Sequence, residues 1–166
     1  MARSLLRKSC VNDTEHAFWE LYIRHLADHL GLKDIQIELS RDTAPSDCFA
    51  MIHAYDDTNR AWIKVYHPEW FALKPWEQRQ YLVHELLHLH LNPFYQDIGL
   101  YLDGKEVKED AFLRKLAHRQ VEKTVDTLST TFSPCFLLPM EWFSAHSSTD
   151  EVKRYAEQRT FGRLAP

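Results

Sequence analysis

Hydrophobic positions along the chain change period several times, and each change marks an element. From Asp13 or Thr14 to Leu30, the residues Phe18, Leu21, Tyr22, His25, Leu26, His29 and Leu30 recur at helical spacing. That pattern predicts an amphipathic helix with an Asp or Thr cap at its start and Gly31 at its end. Asp34 to Leu39 alternates strictly, Ile35, Ile37 and Leu39 against Gln36 and Glu38, as a half-buried strand does. Beyond the turn-rich Arg41 to Asp47, Cys48 to Tyr55 and Ala61 to Tyr66 read as two more strands. The polar run Asp56 to Arg60 joins them at hairpin length, so a small antiparallel sheet is expected. Lys74 to Leu91 is predicted helical, with Pro75 in the first-turn position and Pro93 as its stop. It is apolar almost all round after Tyr81 and should be central. Asp97 to Gly104 reads as a connection, and Glu106 to Phe132 as a long third helix. An aromatic, proline-containing stretch then leads to a short polar helix from about Thr149 to Arg159.

Composition fixes the scale of the fold and removes several function classes. The chain has 166 residues, 45% apolar and 27% charged, which suits one core. With no internal repeat or linker, a single α+β domain over 1–166 is expected, its core at about 13–132 and 133–166 as a C-terminal extension. A net charge of -4 argues against direct nucleic-acid binding. Four glycines leave no material for a phosphate-cradling loop. The cysteines Cys10, Cys48 and Cys135 form no CxxC pair, and no signal segment or membrane span is legible. A cytoplasmic protein with reduced thiols is therefore expected. Ten histidines remain to be explained.

Three of them cluster in Tyr81-Leu-Val-His84-Glu85-Leu-Leu-His88-Leu-His90. His84 and His88, four apart on a helix, share a face and can present ring nitrogens to one ion. Glu85 lies one step round, within reach of a water on that ion. A zinc ion lowers the pKa of such a water toward neutrality, and a neighbouring carboxylate can take its proton during attack on a carbonyl. Burying two histidines and a glutamate among Val83, Leu86, Leu87, Leu89 and Leu91 without a shared partner would be unfavourable. Two core histidines beside a surface glutamate is the alternative.

Catalytic zinc commonly takes three protein ligands. Asn92 stands where a short all-histidine motif would place its third, and no histidine follows until His118. An acidic third ligand is expected, from Glu106 to Asp110 or from Glu122 to Asp126, both of ExxxD form. Glu106 sits in a charged helix start, where acids are ordinary. Glu122 lies between Val121 and Val125 on an inward side and is the favoured choice. Asp126, one turn on, would be placed to accept from the distal nitrogen of a zinc histidine.

His84-Glu85-Leu86-Leu87-His88 followed by Glu122-Lys123-Thr124-Val125-Asp126 resembles the gluzincin clan of zinc metallopeptidases. The chain is similar to the minimal single-domain members found in phage and prophage genomes, over about residues 34–130. The resemblance implies a zincin-like fold, one zinc held by His84, His88 and Glu122, and peptide-bond hydrolysis with Glu85 as general base. It also implies a protein or peptide substrate lying along an edge strand before the HExxH helix, here Ala61 to Tyr66. A phage-encoded chain would work in the host cytoplasm. No second lobe to close over a substrate is legible.

The resemblance leaves the oxyanion-stabilising residue open among His118, Tyr95, Tyr101 and His146. His118 is favoured because it lies one turn before Glu122 on the same face. His90 points away from His88 and reads as a packing or surface residue, as do His25 and His29. Two other readings keep the zinc: hydrolysis of a non-peptide amide, and a non-catalytic zinc-stabilised module that recruits a partner at an edge strand.

Overall fold

The structure is a computed structural model that describes residues 12–55, 59–66, 69–102 and 107–146, with the single positions 148, 150 and 154; over 92–102, 107–110 and at 146 it describes the backbone. The elements in order are helix α1 (Asp13–His29), strands β1 (Gln36–Leu39), β2 (Met51–Ala54) and β3 (Arg60–Lys64), and helices α2 (Pro75–Leu102), α3 (Val107–Phe132) and α4 (Pro139–His146). The architecture is mixed α+β.

α1 starts one residue earlier than an Asp or Thr cap would place it. Asn12 is the cap, its side-chain oxygen accepting from the Glu15 N–H at 2.8 Å. Gly31, at φ +78°, turns the chain out of the helix in the left-handed region that favours glycine. α2 begins at Pro75, and Glu77 reaches back to accept from the Lys74 N–H at 2.7 Å. The same device recurs at α4, where Glu141 accepts from the N–H of Leu138 at 3.0 Å.

The sheet has the order β1-β3-β2. β3 pairs with β2 antiparallel but with β1 parallel, Gln36 opposite Arg60 and Leu39 opposite Ile63. The expected all-antiparallel sheet is thus a mixed one. The connection over residues 40–50 is long enough to carry β2 past β3 to the far edge, so β1 can lie beside β3 in the same direction. β3 is therefore central, and the free edge on this side belongs to β2, not to the Ala61–Tyr66 segment.

Ile37, Leu39, Ile52, Ala54, Ala61 and Ile63 share the inner sheet face by register and two-residue alternation. They join a core with Tyr22, Ile23 and Leu26 of α1, Leu82, Val83 and Leu86 of α2 and Val125 of α3. The opposite face carries His53 stacked on Trp62 at 5.2 Å and Lys64 over the Trp62 ring at 5.0 Å. Its cations are held by acids: Arg60 by Glu38 at 2.8 Å and Lys64 by Asp42 at 3.4 Å.

α2 continues eleven residues beyond the expected stop at Leu91, straight through Pro93. α2 packs against α3, and its backbone stays helical where proline alone disfavours it. The aromatic stretch after Pro134 forms α4, whose Trp142 is buried against Tyr22. The helix expected at Thr149–Arg159 lies largely outside the described residues.

Candidate metal centre

His84 and His88 leave α2 on one face, as residues one helical turn apart must. α3 packs against that face and brings Glu122 to it. One ligand atom from each of His84, His88 and Glu122 lies within 4.8 Å of the others. The His84 and His88 Nε2 atoms are 3.1 Å apart, and each is 3.6 Å from a Glu122 carboxylate oxygen. Tetrahedral zinc with bonds of about 2.0–2.1 Å places neighbouring ligand atoms about 3.3 Å apart. The 3.6 Å distances run to Glu122 Oε2 from His84 and to Oε1 from His88; with one ligand atom from each residue within 4.8 Å of the others, these residues could hold a metal ion.

The tautomer is set from α3. His84 Nδ1 lies 3.1 Å from the Asp126 carboxylate, which accepts its proton and leaves the Nε2 lone pair facing Glu122 and His88. Burial pushes the His88 pKa down, against the nearby Glu122 charge, and so favours the neutral form that a metal needs.

Glu85 is held by a different element. Its Oε2 accepts from the backbone N–H of Ile52 at 2.9 Å, a donor that β2 turns away from β3. Burial raises the Glu85 pKa to about 8, the Ile52 hydrogen bond opposing and the Glu122 charge adding. Glu85 is outside the ligand cluster, and its side chain stands between edge strand and histidines. A cavity of about 450 Å³ opens there, lined by Ile52 and Ala54 of β2, Glu85 and His88 of α2, and His118 and Glu122 of α3.

His118 reaches this cleft with its side chain 61% exposed and Nδ1 3.8 Å from Glu122. The backbones of Tyr95, Tyr101 and His146 are helical, and their side chains lie outside the described residues, as does Glu106. His90 is a surface residue placed 2.7 Å from the Leu30 carbonyl oxygen. His25 and His29 pack on each other at 4.3 Å, and His25 lies against Trp142. Two residues at the cleft escaped the sequence reading. Ile52 acts through its backbone, which no side-chain pattern reports, and Cys48 lines the cleft without any ligand spacing to betray it. No known protein family, no curated protein and no solved structure matches the chain.

Proposed function

We propose that the protein is a zinc-dependent metallopeptidase. The observation that carries this reading is the convergence of His84, His88 and Glu122 beside a carboxylate, Glu85, that a cleft-lining strand holds in place. When bound, zinc would polarise the substrate carbonyl and lower the pKa of a water near it. Glu85 takes the proton of the attacking water on the oxygen not held by Ile52, then delivers it to the departing amine nitrogen. The Ile52 N–H keeps that carboxylate aimed as its charge changes. His118 donates to the carbonyl oxygen as it gains negative charge. A peptide would lie along β2, whose outward N–H and C=O groups, apart from the Ile52 N–H that Glu85 occupies, recur every second residue.

One observation favours a second reading, a zinc-stabilised binding module: the Glu85–Ile52 bond ties α2 to β2 and would serve a purely structural end. Glu85→Gln separates the two, because an amide oxygen can still accept from Ile52 but cannot shuttle a proton. The test combines elemental analysis of zinc with hydrolysis of a mixed quenched-fluorescent peptide library by wild type, Glu85→Gln and Glu122→Ala. The expected result is one zinc per chain in wild type and Glu85→Gln, little in Glu122→Ala, and hydrolysis in wild type alone. Zinc without hydrolysis in the wild type would favour the binding module.

A further inference from the structure

The outer face of the sheet carries a row of rings that ends at an unpaired edge. Trp62 of β3 stands opposite His53 of β2, and the two rings stack at 5.2 Å and 26°. Tyr55, the next residue of β2's line on that face, meets His53 edge-on at 6.1 Å. Rings on facing strands stack along the line that crosses the sheet. One face of the exposed His53 ring is thus covered by Trp62, and the other looks toward the next strand position, which no strand fills among the described residues. The cations beside the row are already paired: Lys64, over Trp62, with Asp42, and Arg60, over Tyr55, with Glu38. A side chain added at the edge therefore meets the open face of a ring.

The backbone of β2 says how an added chain would sit. The Tyr55 N–H bonds the Arg60 carbonyl at 2.9 Å, so His53 and Met51, two and four residues back, also turn their polar groups toward β3. Ile52 and Ala54 turn theirs to the open edge. Glu85 occupies the Ile52 N–H, which leaves the Ile52 carbonyl and both groups of Ala54. A chain pairing antiparallel with these puts one residue opposite His53 in the narrow, non-hydrogen-bonded position, where Cα atoms approach to about 4.5 Å and side chains pack closely. That side chain lies on the outer face. Its two neighbours in the chain turn to the inner side, where Ile52 and Ala54 line the metal cleft.

We infer that His53 is a specificity-determining residue: the peptide residue opposite it is aromatic and adds a third ring to the stack of Trp62 and His53. That the selected chain is cleaved rests on the peptidase reading; its selection by stacking does not. A leucine at that position buries area but gains no ring-on-ring geometry, and a glutamate or lysine gains neither.

The test uses short peptides of alternating Thr and Val in which one central Thr is replaced by Phe, Leu, Glu or Lys. Fluorescein-labelled copies are titrated against the zinc-loaded full chain carrying Glu85→Gln, and unlabelled copies are offered to the wild type with cleavage followed by mass spectrometry. The Phe peptide is expected to bind, and to be cleaved, about three- to tenfold better than the other three. His53→Ala should bring all four peptides to within about twofold of one another. His53→Phe restores a ring and should keep the preference, as should Gln36→Ala on the far strand β1, with zinc content and circular dichroism unchanged in each. Absence of binding, equal affinity for all four peptides, or a Phe preference that survives His53→Ala overturns the inference. So does loss of the preference in His53→Phe, which would trace it to the imidazole nitrogens. A Phe preference in binding with no hydrolysis by the wild type would sink the peptidase reading and leave the stack standing; hydrolysis indifferent to the central residue would do the reverse.

Discussion

Asp126 is outside the ligand cluster, yet its removal should be felt at the centre. Its carboxylate fixes which nitrogen of His84 carries the proton, and loss of such a partner typically weakens metal binding about 10- to 100-fold. Asp126→Ala is expected to show that loss in competition with a chromophoric chelator, at unchanged stoichiometry. Glu85 gives a pH signature in the metal-free chain. Its pKa is raised to about 8 from the usual 4.5, so the folded state holds the proton more tightly than the unfolded state does. The stability this lends is complete below the ordinary carboxylate range and is lost as pH rises through about 8. Glu85→Gln removes the dependence. Thermal melts of chelator-treated protein should show the variant gaining on wild type between pH 5 and pH 9, by on the order of a few kcal/mol at the alkaline end.

Among the elements, α2 runs against its own sequence at Pro93. A proline there lacks the N–H that would bond the Leu89 carbonyl, while the helix continues to Leu102. Pro93→Ala supplies that donor and should raise stability to urea by about 1–3 kcal/mol, read as a higher midpoint at constant slope. The same residue explains a failure of sequence reasoning: proline is a local stop signal, and the backbone runs on as helix through it to Leu102. The strands divide similarly. Their existence was legible from the alternation of Ile35, Ile37 and Leu39 and from the apolar runs after Asp47 and Arg60. Their order was not, because no periodicity says whether β1 will meet β2 or β3. The catalytic-looking half of the site was legible because His84, Glu85 and His88 lie within one helical turn. Glu122 and Asp126 could be ranked only by which side of α3 faces inward, and the structure brings both to His84.

Across the whole molecule, a metal at this site would join α2 to α3, since two ligands come from one helix and the third from the other. Saturating zinc at about a thousand times its dissociation constant contributes about 4 kcal/mol. Chelation should therefore lower the thermal midpoint by about 10 °C, and Glu122→Ala should show almost no shift on chelation. No described helix is long and apolar enough to cross a membrane.

The strand order also governs the sequence of events in folding. β2 and β3 are neighbours along the chain, with Ala54 opposite Ala61, whereas Gln36 must find Arg60 across the whole intervening hairpin. Short loops close before long ones. The wall that lines the cleft thus forms early as a hairpin, and β1 docks onto it afterwards. In stopped-flow kinetics, Ile52→Val should slow refolding, while Leu39→Ala should act chiefly by speeding unfolding. Nascent chain that has reached Lys64 already holds the future cleft wall, before any histidine of the metal centre has been made.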